Sequence, residues 1–342
     1  MNLHLPIRAH RIPLLATLAV FALLYTGAAL RYEGFASLYV LQANLVGDSA
    51  SLGLAAIGET FVILAGGIDL SVGAMVAFTS ILLAKLVVVW HLPPGLAMAI
   101  VLATGALFGA GMGALVRQYR LPPFLVTLGG LFLLRGLALT LTVEKRLALQ
   151  ESPLCVRLSE AKLCGFPMAA VLFLAVLVLG VYAAHWTRFG RAVYALGGGE
   201  ASALLMGLPV GRVKVQVYAL SGLCAALGGV AHTFVTGAGD ATVAYMMELD
   251  TIAAVVIGGT LLSGGVGTVF GTLVGVLILS VIQTAINFEG TLSSWWTKIA
   301  TGGLLLVFIL IQRLIQSQAV RRTGPAPSAR PPGLRIPPEH GQ

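Results

Sequence analysis

The sequence predicts an all-α fold: a polytopic transmembrane helical bundle of about ten spans, with broken or re-entrant segments where glycines cluster. Three observations predict it. Apolar residues make up 58% of the 342-residue chain and charged residues only 10%, far from the balance of a soluble domain. The apolar residues fall in runs of roughly the 20 residues that one membrane crossing needs. Several runs are interrupted by glycines, as in "ILAGGIDLSVGAMVAF" (63–78), which also carries Asp69.

The runs lie at 13–30, 45–65, 74–90, 94–116, 122–143, 167–184, 213–235, 250–263, 269–287 and 298–312. The first has a basic flank and is longer than a signal-peptide core, so it reads as an uncleaved span. The run at 250–263 is short for a crossing. With the N-terminus inside, Arg8, Arg11, Arg117, Arg120, Arg188, Arg191, Arg212, Lys214, Arg313, Arg321, Arg322, Arg330 and Arg335 are cytoplasmic, while Arg31, Lys145, Arg146, Arg157, Lys162 and Lys298 are external. That asymmetry, roughly two to one, follows the positive-inside rule and puts both termini in the cytoplasm. The expected organisation is a membrane domain over 1–315, with an external loop at 144–166 and an internal loop at 185–212. Residues 316–342, proline-rich and poor in apolar residues, are expected to be a disordered cytoplasmic tail.

A repeat is embedded in the spans. "GGIDLSVG" (66–73) aligns with "GGTLLSGG" (258–265), pairing Ser71 with Ser263, and each copy precedes an apolar helix. Paired glycine-interrupted segments point to a transport path. Two further glycine trios, Gly105, Gly109, Gly113 and Gly267, Gly271, Gly275, recur at four-residue spacing, the pattern of a helix face that admits a neighbouring backbone.

Charges inside the spans are Glu59, Asp69, Lys85 and Arg135. Lys85, near a span end, can snorkel. Glu59 and Arg135 lie deep and read either as a mutual or backbone-satisfied structural pair or as the lining of a polar cavity. Asp69 sits among glycines that let the helix break, so its carboxylate can accept hydrogen bonds from free N–H groups at the helix that starts near Ser71.

The internal loop holds "EASALLMG", a short helix from Glu200 through Ala201, Leu204 and Leu205, closed by Gly207 and followed by Pro209. Exposed apolar residues there suggest docking to a partner or lying at the lipid interface. In the external loop Cys155 and Cys164 form a candidate disulfide if that loop faces an oxidising compartment. The cysteines and histidines have no metal-ligand spacing, and no catalytic constellation occurs. A GxxxxGK[ST] phosphate loop is also absent, so any ATP would be held by a partner. The scattered basic residues do not make a nucleic-acid surface.

"TFVILAGGIDLSVGAMVAFT", "LPPFLVTLGGLFLLRGLA", "TRFGRAVYALGGGEASALLMGLPVGRVKV" and "ELDTIAAVVIGGTLLSGGVGTVFGTLVGVLI" resemble the membrane permease subunits of bacterial ribose-type sugar ABC importers, over roughly residues 35–313. Within that family "FEGTLSSWWTKI" (288–299) is most similar to a galactofuranose importer permease. The resemblance implies a non-catalytic inner-membrane subunit that binds no cofactor itself. It would partner a second, different permease, as half of a heterodimer of the galactofuranose type, a cytoplasmic ATPase that binds ATP and Mg, and a periplasmic sugar-binding protein. It assigns Glu200 to Gly207 to ATPase coupling. Glu59, Asp69, Ser71, Arg135 and Ser263 are the candidate path residues. An ion-coupled secondary sugar transporter using Glu59, Asp69 and Arg135 as a relay is the alternative.

Overall fold

The computed structural model describes residues 12–141, 146–149, 153–293 and 295–322. Helix α1 (Ile12–Arg31) is followed by a π-helical segment, Val40–Gly47, which bends by 47° into α2 (Ala50–Leu64). After a break come α3 (Val72–Ala84), extended by a π-helical turn Lys85–Val89, then α4 (Pro94–Tyr119) and α5 (Pro123–Thr140). Pro94 and Pro123 each stand at a first helical position, where a missing N–H costs nothing and the fixed φ suits the helix.

Strand β1 (Arg146–Ala148), helix α6 (Pro153–Glu160) and strands β2 (Lys162–Leu163) and β3 (Phe166–Pro167) build the next loop. Then follow α7 (Met168–Trp186), α8 (Arg188–Gly198), α9 (Glu200–Leu205), α10 (Val210–Thr236), β4 (Ala238–Asp240), α11 (Met247–Ile257), α12 (Val269–Glu289) and α13 (Trp295–Arg322). β4 pairs antiparallel with β1, tying the far end of α10 to the loop after α5.

Among the described residues, eight helices are long and apolar enough to cross a membrane, or nine with the bent pair counted as one span. The expected run at 250–263 is the difference. It forms α11, whose eleven residues reach about 16 Å against a hydrocarbon core of about 30 Å. α11 is thus a half-crossing enclosed by protein. Buried helix ends need partners for their free carbonyls, and here side chains from other helices supply them. Thr17 Oγ1 donates to Ile257 O at 2.6 Å, and Gln312 Nε2 donates to Val256 O at 3.1 Å.

α10 runs through the middle of the bundle against α2, α3 and α4. Its approach to α4 is close because Gly105, Gly109 and Gly113 face it: a Cβ on Gly113 would lie 2.8 Å from Val215 Cα, and one on Gly109 would strike Tyr218 O. The second trio divides. Gly271 and Gly275 lie against the α11 backbone, where added Cβ atoms would strike Gly258 O and Ala254 O. Gly267 is not on the helix. Thr268 caps α12 by accepting from Gly271 N–H at 2.9 Å, so the helix begins after Gly267, which has φ +151.

The cysteines of the loop between α5 and α7 are unbonded. Cys155 is buried on α6, whereas Cys164 is exposed in the turn between β2 and β3, so the two thiols face different surroundings. The last helix continues through Arg322, beyond the expected domain boundary at 315. Residues 323–342 of the expected tail, with Arg330 and Arg335, lie outside the described residues, as do Arg8, Arg11 and Lys145.

Candidate functional site

The first break runs from Ala65 to Ser71 and is opened by Gly66, with φ +80. Asp69, fully buried, organises it. One carboxylate oxygen accepts from Ser71 N–H at 2.9 Å and from Ser71 Oγ at 2.6 Å; the other accepts from Ser221 Oγ of α10 at 2.8 Å. The Asp69 N–H donates to Glu59 Oε1 at 3.1 Å, so the buried Glu59 belongs to the same cluster. Ser71 itself occupies the cap position of α3 and makes no capping bond with its side chain. Asp69 therefore acts one step earlier than a helix cap, holding the turn that delivers the chain into α3. Ser221 left no sign in the sequence, because a serine in an apolar helix usually bonds its own backbone.

Arg135 lies elsewhere. Its two guanidinium nitrogens donate to Val243 O at 2.7 Å and Ala244 O at 3.0 Å. Of the two structural readings of Glu59 and Arg135, the mutual pair is thus not formed, and Arg135 is satisfied by backbone. The carbonyls it holds belong to the loop that leads into α11. Ala244 and Met246 there have positive φ of 55° and 61°, a left-handed conformation costly for side chains of this kind. Two fixed bonds from a planar fork hold that loop in place.

The second break runs from Gly258 to Thr268, with positive φ at Gly259, Gly264, Gly265 and Gly267. The aligned repeats do not superimpose in detail. α3 starts at Val72, the partner of Gly264 in the alignment, whereas α12 starts only at Val269. Ser71 is buried at a helix start, while Ser263 is exposed in a loop. The extra glycines carry the second chain through a longer turn before helix can resume.

The two breaks nevertheless meet. Gly265 N–H donates to Leu64 O at 2.9 Å, satisfying a free carbonyl at the end of α2. A third backbone enters the same point, from α8. A Cβ on Gly197 would strike Leu64 O and Gly265 N, and one on Gly264 would lie 2.9 Å from Gly66 Cα and 3.1 Å from Gly197 Cα. Nothing larger than glycine fits this three-way junction. Tyr194 of α8 adds a bond from its hydroxyl to Gly267 O at 2.8 Å. Burial pushes that hydroxyl up to about 12, so it remains a donor at physiological pH.

Three residues beyond Gly197, α9 projects from the bundle. Ala203 is buried, but Leu204, Leu205 and Met206 are exposed, Leu205 at 90%. Glu200 is held by Lys214 of α10 with 2.8 Å contacts to both carboxylate oxygens. Ala201 is exposed beside them, and Gly207 ends the turn with φ +76. Gly199 offers no side chain to cap the helix start. An apolar surface element is thereby joined, through Gly197, to both breaks in the membrane helices.

The arrangement places a short apolar surface helix next to a junction of two breaks in the membrane helices. The profile of the branched-chain amino acid transport system / permease component family matches residues 41–309, and the chain belongs to that family. It is 48% identical to the inner membrane ABC transporter permease protein YjfF of Escherichia coli K12, across 88% of this chain and 92% of that one. It is 36% identical to the fructose import permease protein FruG of Bifidobacterium longum, across 90% and 92% of the two chains. Against the ribose import permease protein RbsC of Bacillus subtilis the identity is 38%, across 79% and 84%. No solved structure matches. As a permease component the chain is a multi-pass inner-membrane transport subunit and not an enzyme.

Proposed function

We propose that this chain is one permease subunit of an ATP-driven ABC importer that carries a monosaccharide of the ribose or galactofuranose type across the bacterial inner membrane, with both termini cytoplasmic. The ATP and Mg belong to a cytoplasmic ATPase that docks on Glu200 to Gly207. A second permease completes the path, and a periplasmic binding protein delivers the sugar. The names of the ribose and fructose relatives support the substrate class. The positive-inside asymmetry supports the orientation.

One observation carries the coupling role: the exposed Leu204, Leu205 and Met206 follow within seven to nine residues of Gly197, at a junction that touches both membrane breaks. Glu59, Asp69 and Ser71 then shape the first break, Ser263 lies in the second, and Arg135 fixes the loop before α11. An ion relay would need Glu59, Asp69 and Arg135 together, and Arg135 is instead committed to Val243 O and Ala244 O. Replacing Leu204 and Leu205 by Asp is expected to abolish copurification of the ATPase and sugar uptake while the chain still inserts. Normal copurification and uptake would refute the docking role.

A further inference from the structure

At the end of the bundle opposite α9 lies a polar recess of about 430 Å³, walled by the residues around Asn44, the head of α11, the later turns of α12 and the start of α13. Its size falls within the roughly 300–1,000 Å³ of small-ligand sites. α12 starts beside Tyr194 of α8 and runs away from it, so Asn287 and Trp295 mark the far end. The recess descends from there to Tyr245 and Asp250, where the half-crossing α11 begins. Binding sites in transporters recur where a discontinuous helix ends inside the bundle.

The geometry points to this recess as a binding site for a single uncharged polyol, a monosaccharide. That assignment rests on the sugar-importer reading above and adds its location and chemistry. Three amides, Asn44, Gln283 and Asn287, line the recess. An amide offers both donors and acceptors, which matches hydroxyl groups that are also both. Gln283 Nε2 already donates to Asn287 Oδ1 at 3.1 Å, so the two are aligned and retain free donors. The Asp48 carboxylate makes no bond to another described residue and remains an acceptor for hydroxyls. Lys298 is neutralised by Asp250, so among the described lining residues no free cation is left to favour an anionic ligand. Trp295, 68% exposed, offers a ring face to the apolar C–H side of a sugar ring.

The purified full-length chain in detergent, probed by saturation-transfer difference NMR with D-ribose, D-fructose and D-galactose, tests this. L-leucine serves as the comparison, because amino acids are the other substrate class that the family's description names. Transfer to the C–H protons of at least one sugar, and none to leucine, is expected. Trp295→Leu and Asn287→Ala should each lower that transfer at least fivefold. Trp296→Leu should leave it unchanged, because Trp296 lines a separate, mainly apolar crevice. Each variant is checked for a monodisperse elution profile.

No transfer to any of the three sugars, or transfer that survives the Trp295→Leu/Asn287→Ala double variant, overturns the assignment. Transfer to leucine that the same substitutions remove overturns the polyol chemistry. The importer reading is scored separately by uptake in cells. If sugar uptake depends on Leu204 and Leu205 but is untouched by the recess variants, the recess assignment fails and the importer reading stands.

Discussion

Gly197→Ala is the sharpest perturbation of the three-way junction, because its neighbour provides a matched control. A Cβ on Gly197 would overlap Leu64 O and Gly265 N, the two atoms joined by the 2.9 Å bond between the breaks, whereas a Cβ on Gly198 meets nothing within 4 Å. Neither glycine is among the positions with positive φ, so the difference is steric. Relieving the overlap means moving α8 away or separating the breaks. Overpacking of this kind costs about 1–3 kcal/mol, and losing the bond between the breaks adds about 0.5–1.5 kcal/mol. The sum for Gly197→Ala is roughly 1.5–4.5 kcal/mol. Gly198→Ala should be neutral or slightly stabilising, since alanine favours helix over glycine by about 1 kcal/mol.

Thermal aggregation followed by size exclusion gives the ranking for the detergent-solubilised chain, and sugar uptake per inserted molecule gives the functional consequence. The expected result is a lower transition temperature and lost uptake for Gly197→Ala, with wild-type behaviour for Gly198→Ala. Equal behaviour of the two variants would refute the claim that three backbones are locked at Gly197.

The remaining predictions are shorter. Asp69→Ala leaves the buried Ser71 N–H and Ser221 hydroxyl without their acceptor and should destabilise the chain by about 2 kcal/mol or more; Asp69→Asn keeps an oxygen for Ser71 and should retain most uptake, and an Asn variant as damaged as Ala would contradict this role. Arg135→Lys cannot reproduce two parallel bonds from one planar group, so uptake should fall nearly as far as in Arg135→Leu, and rescue by Lys would show that charge alone suffices. In intact spheroplasts Cys164 should react with a membrane-impermeant maleimide without prior reduction while Cys155 stays protected; labelling of Cys164 only after lysis would reverse the proposed orientation.

Composition and run length were enough to define an α-helical membrane bundle, because each crossing must satisfy its own backbone in hydrocarbon and so must be a long apolar helix. The glycine face of α4 and the short α9 were also legible, since each depends on residues a few positions apart. The repeat was legible as a pair of interruptions but not in geometry, because the alignment could not register that Gly264, Gly265 and Gly267 delay α12. Whether the run at 250–263 crosses the membrane depended on where Thr17, Gln312 and Arg135 lie, and those are distant in sequence. The partner of Arg135 was likewise beyond the sequence: a guanidinium is satisfied equally well by a carboxylate or by two carbonyls, and only tertiary packing brings Val243 and Ala244 within its reach. The same holds for the junction at Gly197. Three consecutive glycines advertise freedom, but only the assembled bundle shows that Gly197 is a place with no room for a methyl group and that Gly198 is not.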